Sequence, residues 1–165
     1  MSGIGLVSLI LVAIICVIAY HELDIKTRYA EWSPAQDIVI MEDKLGEQRA
    51  KLAESVEKIK QTEDAINVQR DSVEPTVNNE IHNVSLIASM KDHRYTINVC
   101  SDAVESRVGT LTSLVDMFND REGKEPEVMQ SLRRQLKILR EETEDLGIVV
   151  NNLWTDISAL KVFAN

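Results

Sequence analysis

Leu132, Leu139, Leu146, Leu153 and Leu160 recur at a seven-residue interval near the end of the chain. The alternate positions are Met129, Leu136, Thr143, Val150, Ile157 and Ala164, so ten of the eleven are apolar, where the chain's 44% hydrophobic content would fill about half. A three-and-four repeat held over more than four heptads is the pattern of a coiled-coil seam. Leu in one column with partly β-branched residues in the other suits a two-stranded parallel arrangement. The flanking positions begin charged, with Arg133, Arg140 and Glu142, but continue as Val149, Trp154 and Phe163. Those three widen the apolar face beyond what one helix covers, so the C-terminal half of the helix expected at 127–164 should touch at least two others. The expected interaction seam is Met129, Leu132, Leu136, Leu139, Leu146, Val150, Leu153, Trp154, Ile157 and Leu160.

The rest of the chain also reads as helix. Only 4% of its 165 residues are aromatic, with three Pro and six Gly, too few strand and turn formers for a sandwich or barrel. Ser33-Pro34-Ala35-Gln36 is a helix start: Ser can cap, Pro suits the first helical position and Gln completes a capping box. Ile38, Leu45, Leu52, Ile59, Ile66 and Val73 follow at intervals of seven. Taking the companion column four residues on gives Glu42, Arg49, Val56, Glu63 and Arg70, which is one apolar position in five. Such a narrow stripe needs a partner.

Pro75 interrupts this pattern, and the apolar phase runs across it from Val73 to Val77, Ile81, Val84 and Ala88. That continuity favours a kinked helix over a turn near 72–76, the turn reading having Ser72 as cap and Pro75 in the first turn. A second run, Ile97, Cys100, Val104, Val108, Leu111, Val115 and Phe118, is out of phase with the first, which implies a slip at Lys91-Asp92-His93-Arg94. Residues 119–126, with Gly123 and Pro126, read as a loop. The expectation is all-α, with two to three long helices: 34–118 as one or two, then 127–164, in a long coiled coil or antiparallel bundle.

The N-terminus adds a different element. Residues 1–20 contain no charged side chain, and Ile4 to Tyr20 is long and apolar enough for a membrane helix when Met1 to Gly3 are included. Leu6, Leu9, Ile10, Leu11, Ile14, Ile15 and Ile18 would face lipid, with Tyr20 at the polar edge. Residues 21–33 form a juxtamembrane segment. Val17 and Ala19 fit a signal-peptidase site before Tyr20, but no basic n-region precedes the apolar run, so a retained anchor is the preferred reading. Lys26 and Arg28 on the C-terminal side favour a cytosolic C-terminal region. The sequon Asn83-Val84-Ser85 would suit a lumenal or extracellular one.

The charge balance of −9 argues against nucleic acid, whose binding needs cations to replace counterions. His21-Glu22 opens like a zinc-protease motif, yet Ile25 stands where the second His is required. His93 and Cys100 lie about 10 Å apart along a helix, too far to share one ion. Adjacent carboxylates such as Glu141-Glu142 and Glu144-Asp145 read as a solvated face, and no nucleophile elbow or phosphate loop appears. No cofactor and no enzymatic activity are expected. The leading expectation is a single-pass membrane-anchored coiled-coil protein with a scaffolding role, held in lipid by residues 4–20 and self-associating or recruiting partner helices through its seam. The alternatives are a secreted or lumenal bundle binding an apolar ligand or lipid, and an accessory subunit of a larger membrane complex.

Overall fold

The structure is a computed structural model that describes residues 33–72, 76–121 and 126–162. Three helices occupy them: α1 (Pro34–Ser72), α2 (Val77–Arg121) and α3 (Pro126–Ser158). Their 39, 45 and 33 residues extend about 59, 68 and 50 Å at the helical rise. Among the described residues there is no strand, and no helix is long and apolar enough to cross a membrane. The expected anchor at 4–20 and the segment through Trp32 lie outside the described residues, as do Phe163 and Ala164.

Local chemistry sets the helix ends. Pro34 and Pro126 are each the first residue of a helix, where the missing N–H costs nothing. The cap of α2 is Thr76: its hydroxyl accepts the Asn79 N–H at 3.4 Å, and its carbonyl accepts the Glu80 N–H at 3.1 Å. Ser72 instead ends α1. At the far end of α3 the last turn tightens. The Ala159 N–H reaches the carbonyls of Thr155 and Asp156, and Leu160 N–H reaches Ile157. The helix thus stops at Ser158, six residues short of the expected 164.

Side-chain partners fix how the helices run. Between α1 and α2, Arg49 pairs with Glu105, Glu63 with Arg94 and Gln69 with Asn83. Numbers rise on one helix as they fall on the other, so the two are antiparallel. Between α1 and α3, Asp37 pairs with Arg140, Lys44 with Glu144 and Lys51 with Asn151, so these are parallel. α2 and α3 are neighbours, and His82 near the start of α2 donates to the Lys161 carbonyl beyond the end of α3. The result is an up-down-up three-helix bundle. The chain reverses between Ser72 and Val77 where the apolar phase suggested a kinked continuation. A continued rod would leave the Ile38–Ile66 column in water, whereas reversal closes it against α2 and α3.

Each helix offers one strict three-and-four seam to the bundle axis. On α1 the buried positions are Ile38, Met41, Leu45, Gln48, Leu52, Ser55, Ile59, Thr62 and Ile66. The companion column therefore lies three residues on, not four, and Glu42, Arg49, Val56 and Arg70 face outward while Glu63 is half-buried. On α2 the buried residues are Asn83, Leu86, Met90, Ile97, Cys100, Val104, Leu111 and Leu114, with half-buried His93, Arg107 and Phe118 filling the remaining steps. There is no slip at 91–94. Extending the 97–118 phase backward leads to Met90, Leu86 and Asn83, and leaves Val77, Ile81, Val84 and Ala88 exposed. α3 contributes Leu132, Leu136, Leu139, Thr143, Leu146, Val150, Leu153 and Ile157.

Candidate interaction surfaces

The residues that sequence marked as a partner-binding seam converge inside this one chain. Leu132, Leu136, Leu139, Leu146, Val150, Leu153 and Ile157 are at most 8% exposed; Met129, Leu160 and Trp154 are half-buried. Burying a large aliphatic side chain is worth about 1.5–3 kcal/mol. Withdrawing seven of them would forfeit roughly as much as a domain's entire stability of about 5–15 kcal/mol. The seam is therefore the bundle core, and its grip is on α1 and α2. Trp154 sits off the axis, in a shallow groove with Glu54, Ser55, Lys58 and Gln61 of α1, and its indole N–H meets no acceptor among the described residues.

Buried polar groups punctuate that core. Ser55, Thr62 and Thr143 turn their hydroxyls back to the carbonyls of Lys51, Lys58 and Leu139 at 2.7–2.8 Å, which satisfies them within their own helices. Two amides instead cross between helices. Gln48 Nε2 donates to the Thr143 carbonyl at 2.8 Å, and Asn83 Nδ2 donates to Gln69 Oε1 at 3.2 Å. Sequence reasoning missed both, because a search for apolar columns passes over uncharged polar residues. The available signal was that Met41, Gln48, Ser55, Thr62 and Gln69 form a column with no charge on an otherwise charged helix.

Apart from Arg107, half-buried in the α2 seam, the charged side chains ring the outside of these seams. Glu144 is reached by Lys44 at 2.7 Å and Arg140 at 3.1 Å, and their hydrogen bonds hold its carboxyl below the usual range. Lys51 does the same to Glu47 from one turn away. Burial pushes the Cys100 thiol up, away from the reactive thiolate. His93 is hydrogen-bonded to Ser89 at 3.2 Å. Among the described residues no three His, Cys, Asp or Glu side chains gather as a metal site.

The sequon residue Asn83 is only 8% exposed and faces α1, so a glycan there has no room in the folded bundle. It lines an open groove of about 510 Å³ between α1 and α2, with Gln69, Arg70, Glu80, Val84 and Ile87 around it. From Val84 at the rim of the groove, α2 shows solvent a row of large apolar side chains: Val77, Ile81, Val84 and Tyr95 are 65–73% exposed. Comparison with protein-family models, with characterised proteins and with solved structures gave no match.

Proposed function

We propose that this protein is a membrane-anchored helical stalk with a scaffolding role, acting through the outside of a bundle whose inside is already occupied. Residues 4–20 serve as a retained single-pass anchor, and the bundle stands in the cytosol. The observation that carries this reading is the mutual satisfaction of three heptad seams in one chain. It yields a rod about 60 Å long with charged sides, along which the two best-formed hollows are grooves open to solvent. Rigid extent and an exposed periodic face are what a spacer or docking post requires. The burial of Asn83 supports the cytosolic side, because a glycan added during synthesis in a lumen would prevent α1 and α2 from closing.

Protease protection in sealed membrane vesicles tests the arrangement. A tag after Asn165 is expected to be digested from the cytosolic face, with the chain resisting alkaline carbonate extraction and keeping an intact mass that includes residues 1–19. Recovery of a soluble chain starting at Tyr20 would exclude the anchor and favour a secreted bundle.

A further inference from the structure

The first turns of α2 are apolar on two opposite sides. The inner side is Asn83, Leu86, Met90, His93 and Ile97, within the core seam. At 100° per residue, Val77, Ile81, Val84, Ala88, Lys91 and Tyr95 fall along the diametrically opposite line, spaced four, three, four, three and four. This is an unbroken coiled-coil repeat in which only Lys91 is charged, and all six residues are exposed. Isolated surface aliphatics need no explanation, but a contiguous periodic row marks a contact surface. A helix apolar on both sides is ordinarily enclosed on both.

We propose that this outer face of α2 docks a second copy of the chain, α2 against α2 in an antiparallel two-fold pair centred near Leu86. In that register Val84 of each copy faces Ala88 of the other, Val77 faces Tyr95, and Ile81 lies along the aliphatic stem of Lys91. The charges select the direction. Glu80 and Lys91 lie on the same flank of the row, eleven residues apart, so antiparallel pairing brings each Glu80 to the other copy's Lys91, twice by symmetry. On the opposite flank Asp92 meets Asn78. Parallel in-register pairing would instead oppose Lys91 to Lys91 within the row and leave each Glu80 on the flank away from the other copy's Lys91. The overlap from Val77 to Tyr95 is about 28 Å long and engages fewer residues than the roughly 20–30 a side of a standard interface, so the pair is weak and reversible. The inference rests on the scaffolding reading and deepens it by naming the occupant. It also places the two α1 N-termini at opposite ends of the pair, so two anchored copies would meet from two facing membranes.

Sedimentation equilibrium of the full chain in detergent micelles tests the pairing. A monomer–dimer equilibrium with Kd in the range of about 1–100 μM is expected. Glu80→Lys and Lys91→Glu should each weaken it about tenfold, and the two together should restore it. Ile81→Ser with Val84→Ser should abolish it while the far-ultraviolet circular dichroism stays unchanged. With Cys16 replaced by Ser and Cys100 buried, a mixture of Val84→Cys and Ala88→Cys copies should cross-link as the mixed dimer. A monomer at all concentrations, dimerisation indifferent to the charge reversals, or preferential Val84→Cys self-cross-linking would each overturn the proposal, as would occupation of the face by a different protein. The anchor reading fails separately, through loss of resistance to carbonate extraction.

Discussion

The amide of Gln48 reaches the Thr143 carbonyl beside residue 147, where glycine presents no side chain to crowd it. A Cβ built on Gly147 would lie 3.0 Å from Gln48 Nε2, closer than side chains ordinarily approach. The pair couples α1 to α3 at one level of the bundle and so favours one axial register, a use of buried polar groups familiar from coiled coils. Two terms compete in Gly147→Ala. Alanine gains about 1 kcal/mol of helix propensity, but displacing a buried amide costs about 1–3 kcal/mol. We expect the substitution to destabilise the protein by about 1 kcal/mol, and to stabilise it by about 0.5–1 kcal/mol when Gln48→Ala is already present. Chemical denaturation of the four proteins of this cycle measures the sign change. Additive effects would mean that the two residues do not communicate. In sequence only the uncharged column from Met41 to Gln69 pointed toward this, since a Gln on a charged helix reads as surface until its column is known to be the buried one.

Helix by helix, legibility followed the contrast between faces. On α3 the two seam columns are almost wholly apolar and their flanks begin charged, so its core-facing line could be traced from Met129 to Ile157 before any coordinates. On α1 one column was plain, but its companion could lie three or four residues on. The four-residue choice selected residues that ring the outside, because Gln48, Ser55 and Thr62 gave no apolar signal to compete with Val56. On α2 both faces are apolar over the first turns, and a one-dimensional pattern cannot say which of two good faces is inside. The tertiary requirement decided, since only the Asn83–Leu86–Met90 face continues in phase with Ile97 to Leu114. The slip inferred at Lys91-Asp92-His93-Arg94 was a jump from one face to the other. Because the α3 seam is internal, Leu146→Glu with Leu153→Glu should unfold the chain rather than separate intact bundles. Each carboxylate would be buried without a partner, at a cost of several kcal/mol against a total of about 5–15 kcal/mol. Circular dichroism should show most of the helix lost at 25 °C. A fully helical variant would contradict the intrachain packing.

At the scale of the molecule, the class of fold was readable and the direction of the chain was not. Low aromatic content, sparse Gly and Pro, and sustained heptads leave little but long helices. Whether α1 and α2 reverse depended on a few residues around Pro75, where the sequence lacks the glycine that usually announces a turn and Thr76 supplies the cap instead. Reversal there and again after Arg121 gives three passes, an odd number, so Pro34 and Ser158 end at opposite poles of the bundle. That parity has a mechanical meaning. A pull between those two residues runs along the helix axes and loads the whole α1–α3 interface in shear, every layer at once. A pull between Pro34 and Arg121, which share a pole, peels α1 from α2 one layer at a time. With optical tweezers attached at these two pairs of positions, we expect the first geometry to rupture at clearly higher force than the second, and equal forces would refute the assigned topology. A chain built this way carries tension from pole to pole and yields readily only when it is unzipped from one end.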